Sequence, residues 1–399
     1  MSSLQALTIT TISAAVLFGL VLALLGSLKL ALARHLHIGE GRVGLLISVL
    51  NLALIPMMLF CGVLIDVLGI RVALLIGSFL TAAALLAIGL SPTYRRALLA
   101  SFVAGLGSAA LLTAALVLMP HAFFDRNQTR EWTPGLNLGF VFIALGALLT
   151  PALVDVLRGV LSFRRMMILL AIVALTPGVL SLVPPFSDAL VDLQAKLTTQ
   201  NADRPAFSLL SSQNVSHLAL AAIVFFFYAP LEAAIAVWTT TYLTDHGSTE
   251  TEAAFLLSGF WTMFMLSRLL VAFVQPEQRY DPWFIALGAL CTAAMLGNLA
   301  GTASPSVGRL GILMLGLFMG PIFPSLLGIV FREFPAERGT AHGVIFAVGS
   351  TAALLLGPIM GVRLQRGSHS VFTIPLILSI GLFLAAVVFG LTVGSGGPR

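Results

Sequence analysis

Twelve stretches of this sequence are apolar for long enough to cross a bilayer, and nothing else in it constrains the fold as strongly. A helix needs about 20 predominantly apolar residues to span the hydrocarbon core. Such runs occur at approximately 8–32, 43–64, 71–90, 97–119, 133–156, 165–184, 214–243, 251–273, 283–300, 309–331, 340–362 and 371–393. The breaks between them are short and polar, as at Arg34 to Arg42, Ser91 to Arg96 and Asp125 to Glu131. The runs lack period-two alternation and are too long for barrel strands, so they read as helices. Charged residues make up only 9% of the chain, against roughly a quarter in soluble domains. The expected fold is an all-α membrane protein with twelve transmembrane helices.

Composition also removes several function classes. The net charge of +5 comes from basic residues scattered singly or in pairs, with no run that could track a phosphate backbone, so no nucleic-acid partner is expected. Cys61 and Cys291 lie inside apolar runs and read as small buried hydrophobes without disulfide or metal-ligand spacing. No cofactor or metal site is expected. The apolar stretch from Thr8 to Leu32 is too long for the core of a signal peptide and reads as a retained first span. Nucleophile-elbow, zincin and P-loop motifs are missing, and no loop is long enough for a catalytic domain, so an enzyme is not expected.

The longest non-spanning stretch runs from Pro184 to Gln213, between the sixth and seventh spans. It divides the chain into 1–184, a cytoplasmic linker at 185–213, and 214–399. In the linker, Leu190, Leu193 and Leu197 recur at helical spacing beside Asp188, Asp192 and Lys196, the pattern of an amphipathic helix at a membrane surface. The two halves echo each other. Arg96 and Gly107 have the same spacing as Arg309 and Gly320, Gly44-Leu45-Leu46-Ile47-Ser48 is answered by Ala254-Phe255-Leu256-Leu257-Ser258, and Pro151 by Pro358. These matches point to two pseudo-symmetric six-helix bundles.

Between spans two and three stands Gly62-Val63-Leu64-Ile65-Asp66-Val67-Leu68-Gly69-Ile70-Arg71. This segment resembles the signature of the major facilitator superfamily of transporters. Gly62, Leu64, Asp66, Gly69 and Arg71 match it, while Val67 and Ile70 stand where the family has basic residues. Asp66 is placed to cap the next helix or to pair with a basic group, and Gly62 to let a neighbouring helix approach. The resemblance implies that Gly62, Asp66, Gly69 and Arg71 form a conformational latch between the halves, weakened by the missing basic residues. A narrower likeness is to the fucose/glucose-type sugar permeases. It rests on Tyr228, Glu232, Trp238 and Tyr242-Leu243, on Asn137-Leu138-Gly139, and on Gly320-Pro321-Ile322-Phe323-Pro324. The acidic residues that proton-coupled members carry in spans one and four are absent here.

Ionisable groups inside a membrane are costly and mark function by default. Lys29, Glu232 and Arg268 are the three that stand out. Depth counted at about 1.5 Å per residue puts Lys29 and Glu232 in the outer halves of spans one and seven, where they could pair as a gate. The same count puts Arg268 near the cytoplasmic face, too far from Glu232 to pair with it, and assigns it to the latch. Pro230 is expected to interrupt span seven, as Pro321, Pro324 and Pro358 interrupt spans ten and eleven. With Asn137, Tyr228, Trp238 and Trp261, Lys29 and Glu232 make up the expected substrate-binding set. Trp132 and Trp283 read as interface anchors, and His35, His37, His121, His217, His246, His342 and His369 as surface residues.

The reading that follows is a secondary active or facilitative transporter of a small polar solute, with a sugar as the candidate, working by alternating access. A coupling proton or sodium ion and membrane lipid are the further partners, and a monomer is expected. A drug or metabolite exporter of the same fold and a non-transporting membrane sensor stay open as alternatives. Lys and Arg are nearly balanced between the two faces, so placing both termini in the cytoplasm, with the chain in the cell membrane, follows from the resemblance alone.

Overall fold

The computed structural model describes residues 2–123, 132–200, 212–274, 280–301, 305–365 and 372–394. Among them every regular element is helical. The first span is α1 (Ser3–Ser27), extended past a kink by α2 (Lys29–Leu36). Then follow α3 (Glu40–Leu68), α4 (Ile70–Leu90), α5 (Tyr94–Ala122) and α6 (Trp132–Val160), and a sixth span divided into α7 (Phe163–Ala174) and α8 (Thr176–Leu180). The linker carries α9 (Phe186–Gln200). Beyond it come α10 (Ser212–Asp245), α11 (Glu250–Val274), α12 (Asp281–Gly301), a tenth span split into α13 (Pro305–Met319) and α14 (Ile322–Glu333), α15 (Arg338–Gln365) and α16 (Thr373–Gly394). Twelve spans among these are long and apolar enough to cross a membrane.

Polar side chains inside the spans are mostly satisfied by their own helix. Thr10, Thr11, Ser101, Thr113, Thr150 and Thr239 each donate to the carbonyl four residues back, at 2.7–2.9 Å. That local bond makes a hydroxyl tolerable in hydrocarbon, and it removes these residues from the list of groups awaiting a ligand. Thr249 and Glu252 cap α11 reciprocally, with bonds of 3.1 and 3.2 Å, as a threonine three residues ahead of a glutamate does.

Prolines do not act alike. Pro56, Pro120, Pro151 and Pro230 lie inside continuous helices, so span seven is not interrupted at Pro230. Span eleven likewise runs unbroken past Pro358. One proline removes one backbone bond, which the rest of a long helix tolerates. Of the spans the sequence marked for interruption by proline, only the tenth breaks, at Gly320-Pro321, where glycine and two prolines fall within five residues.

The chain forms two compact units. Unit 1 comprises Met1–Arg130, Leu138–Phe207 and Pro335–Gly343; unit 2 comprises Glu131–Asn137, Ser208–Phe334 and Val344–Arg399. In unit 1, α5 is the central helix, with α1, α3 and α4 packed along it and α7 against α4. In unit 2, α12 and α10 pack on α16, and α11 on α13. The fourth and tenth spans are largely buried, 83% and 78% over their most apolar stretches, so these two are enclosed by helices instead of lipid. Ala189, Leu190 and Leu193 of α9 are buried against α1 and α4, so the apolar face of the linker helix is covered by protein. Linker residues 201–211, together with Arg366 and His369, lie outside the described residues.

Each unit contains a short segment from the other half of the sequence. The start of α6 (131–137) belongs to unit 2, and the start of α15 (335–343) belongs to unit 1.

Candidate functional site

The break in the tenth span generates the principal polar cluster of unit 2. In a continuous helix the carbonyl of Gly320 would accept from the amide of residue 324. Residue 324 is proline, so that carbonyl has no donor in its own helix. Arg268 of α11 supplies one, its Nε donating to the Gly320 oxygen at 2.8 Å. The neighbouring Met319 carbonyl accepts from the Tyr228 hydroxyl of α10 at 3.3 Å. Tyr228 and Arg268 are both buried, 1% and 7% exposed. Glu232, one turn from Tyr228 on α10, is half-buried, and the Arg268 guanidinium and the Tyr228 hydroxyl both act on its carboxylate.

Arg268 and Glu232 therefore do interact, contrary to the depth count from the sequence. Counting from the start of α10 misplaced the pair, because that helix has 34 residues, well beyond what a bilayer requires. Counted from Gly247, in the turn that joins α10 to α11, Arg268 is only six residues deeper than Glu232. That is about 9 Å of helix rise, within the combined reach of two long side chains.

The Arg268 guanidinium also lies over the Phe264 ring, 4.3 Å from its centroid, a cation–π contact strengthened by exclusion of water. Trp261 meets Phe264 edge-on at 5.3 Å and is 40% exposed. Trp261, Phe264 and Arg268 thus form one row along α11, with the indole at the open end. Trp238 is instead a packing residue, lying against the core of Ala234, Leu356 and Met360 with Ile374 and Leu378. Lys29 is half-buried at the first position of α2, just past the kink at Leu28, and belongs to unit 1.

Asn137 belongs to a second cluster of unit 2. It is fully buried, and its Nδ2 donates to the Thr133 carbonyl at 2.9 Å and to Ser325 Oγ at 3.4 Å. One turn back, Thr133 donates at 2.7 Å to Oδ2 of Asp281, which also receives Arg332 at 2.8 Å. Trp132 is buried and meets Phe331 edge-on at 6.4 Å, so it is a packing residue and not an interface anchor. These contacts hold the first two turns of α6 in unit 2. Replacing Asp281 with alanine is expected to raise amide exchange across 132–137 at least tenfold, since a half-buried arginine and a buried threonine lose their shared acceptor. Unchanged exchange there would show that packing alone holds the segment.

In unit 1, Asp66 caps neither the following helix, whose first residue follows Gly69 without a side-chain cap, nor a basic group. Its carboxylate accepts from the amides of Gly339 and Thr340 at 3.1 and 2.7 Å and from the Thr340 hydroxyl at 2.7 Å. It is thus the N-terminal cap of α15, supplied from α3, where a negative charge also meets the positive end of the helix dipole. A Cβ on Gly62 or on Gly339 would run into the other's carbonyl, so the crossing of α3 and α15 requires glycine on both sides. Gly69 has φ +90, a turn conformation that favours glycine. Arg71 is half-buried and makes no hydrogen bond or ion pair with the described residues.

His121 and His342 are not surface residues: they are 3% and 0% exposed. His121 Nε2 lies 3.2 Å from the Arg338 guanidinium. Arginine can only donate, so that nitrogen is the acceptor and the proton sits on Nδ1. The sequence reading missed His121, Asp281 and Thr133 because each stands at the rim of an apolar run. There a residue in a loop and one in the last buried turn look the same. Pro324, four residues after Gly320, was the legible sign of a carbonyl needing a partner.

The sequence profile of the Major Facilitator Superfamily matches residues 10–358. No curated protein matches the chain at a significant level. The E. coli fucose:proton symporter FucP has a similar structure, with a TM-score of 0.72 at 18% identity over 97% of this chain and 99% of that one. The proton:xylose symporter XylE superposes with a TM-score of 0.73 at 14% identity, covering 97% and 95%. The human organic anion transporter MFSD10 gives 0.73 at 16%, covering 97% and 100%. At these identities the likeness is one of fold.

Proposed function

This chain belongs to the Major Facilitator Superfamily and is an integral multi-pass membrane transporter, and on that premise we propose that it carries a neutral, hydroxyl-rich solute of the sugar type by alternating access. The observation that carries the reading is the Tyr228–Glu232–Arg268 cluster at the break in the tenth span. Glu232 and Arg268 balance each other, so a charged solute would have to displace one of them, whereas hydroxyls add hydrogen bonds at no electrostatic cost. Arg268 and Tyr228 are engaged with the freed carbonyls of Gly320 and Met319. The half-buried carboxylate of Glu232 would be the cluster's acceptor for solute hydroxyls, and the exposed Trp261 ring on α11 would offer a surface for an apolar sugar face. The names of FucP and XylE, a fucose and a xylose symporter, accord with this class.

We further assign Glu232 as the group whose protonation couples transport to a proton gradient. Neutralising it removes the charge that Arg268 faces and frees the arginine to follow its carbonyl partner. The capping of α15 by Asp66 and the capture of the start of α6 by Asp281 are then contacts that form and break during the cycle.

The test is uptake and counterflow of a panel of labelled sugars and sugar alcohols in proteoliposomes, with and without an inside-alkaline gradient. Gradient-driven accumulation of at least one panel member is expected, with Glu232→Gln retaining counterflow but losing accumulation. Accumulation by the Gln variant equal to wild type would remove Glu232 from coupling. A panel without transported solutes, together with uptake of organic anions, would overturn the substrate class.

A further inference from the structure

In unit 1, α4 and α5 touch at Gly77 and Gly107, where a Cβ on Gly77 would lie 2.9 Å from the Gly107 carbonyl. From there toward the end where α4 finishes and α5 begins, a groove of about 470 Å³ lies between them. Its walls include Ala83, Ala87, Ala100 and Val103, and Arg96 lies at its head. Small side chains on both helices leave the slot unfilled. It extends over eight residues of each helix, 83–90 and 96–103, a rise of about 10 Å, or roughly a third of the hydrocarbon core. Ser91, at the head, donates its hydroxyl to the Ala87 carbonyl at 2.6 Å, so the wall offers a ligand no free hydroxyl proton.

The head of the groove is strongly cationic. Arg95 and Arg96 open α5 and are exposed. Arg42 lies over the Tyr94 ring at 5.9 Å, and the Tyr94 hydroxyl donates to the Arg42 carbonyl at 3.3 Å, which ties the start of α3 to the same place. Arg164 and Arg165 begin α7, and the Arg164 carbonyl is 3.9 Å from the position of a Cβ on Gly89, one residue before the groove's end at Leu90. None of these five arginines has an ion pair among the described residues.

We propose that this groove binds an anionic phospholipid, with the upper part of an acyl chain in the alanine slot and the phosphate on Arg95 and Arg96. An apolar channel that runs straight into clustered positive charge at a helix end matches the two parts of that molecule in order. A zwitterionic lipid would fill the slot without relieving the charge. A free anion would meet the arginines and leave the slot unused.

The experiment is native mass spectrometry of the purified full-length protein with phosphatidylglycerol and phosphatidylcholine of the same acyl chains. Inorganic phosphate is added as a competitor. Phosphatidylglycerol is expected to bind about tenfold more tightly. The double variant Arg95→Gln/Arg96→Gln should bring it to the level of phosphatidylcholine, and Ala87→Phe, which fills the slot from an exposed position, should weaken both lipids. Lys196→Gln, on α9, should change nothing. Equal binding of the two lipids, a preference that survives the double variant, or displacement of the lipid by millimolar phosphate would each overturn the proposal. So would unaltered lipid binding by Ala87→Phe. These readouts require no transported solute, so they succeed or fail independently of the proposed transport function.

Discussion

Replacing Arg268 with alanine is expected to destabilise the protein by about 3 kcal/mol and to abolish transport. The side chain has three tasks at one place. It donates to the Gly320 carbonyl, which has no donor in its own helix because residue 324 is proline. It faces the Glu232 carboxylate. It also covers the Phe264 ring. Alanine leaves a buried carbonyl and a half-buried carboxylate uncompensated, and the second loss dominates because an unpaired charge costs more than an unpaired neutral group. Lysine in its place keeps the charge but loses the fork, so it cannot hold the carbonyl and the carboxylate together and should fall between alanine and wild type.

The pairing with Glu232 makes a sharper statement. In the double variant Glu232→Gln/Arg268→Ala no charge is left to strand, so much of the stability lost in Arg268→Ala should return. Chemical unfolding in detergent micelles of the wild type, the two single variants and the double variant measures this directly. Additive losses in the double variant would mean that the two residues act separately, and the substrate reading built on a balanced pair would go with them.

Asp66→Ala should have the second-largest effect, confined to the start of α15. Three hydrogen bonds to one carboxylate disappear, two of them from amides at a helix N-terminus that have no other partner in the helix. A loss of about 3 kcal/mol corresponds to roughly 150-fold in an equilibrium, so hydrogen exchange across 338–343 should accelerate on the order of 100-fold. Asp66→Asn keeps one oxygen acceptor but loses the charge that meets the helix dipole, and should give an intermediate rate. Exchange at 338–343 that is the same in all three proteins would show that the crossing at Gly62 and Gly339, and not the cap, holds the helix start.

The spans were legible because the bilayer imposes a one-dimensional rule. Each apolar run had to be helical and of nearly fixed length, and the observed spans follow the expected ones to within a few residues. The signature around Asp66 was equally plain, since it is contiguous. Legibility ended where partners come from distant parts of the chain. Asp66 meets residues 339 and 340, Thr133 meets Asp281, and Arg268 meets the break at Gly320. Pro230 and the Gly320-Pro321 pair looked like equivalent helix breakers, yet only the pair parts its helix. Buried His342, at the edge of an apolar run, could not be told from a surface histidine.

Arg268 shows why. Read from the sequence, its depth carried an error of a few residues at the start of each helix, and each residue is about 1.5 Å of rise. Such an error amounts to several ångströms, whereas a hydrogen bond tolerates only a few tenths of one. Hydropathy by itself therefore determined the twelve helical spans, and with the Asp66 signature it determined the family. The tertiary structure alone decided which of the few polar groups meet. That depends on where each helix begins, how it is rotated, and which carbonyl a proline has left without a donor.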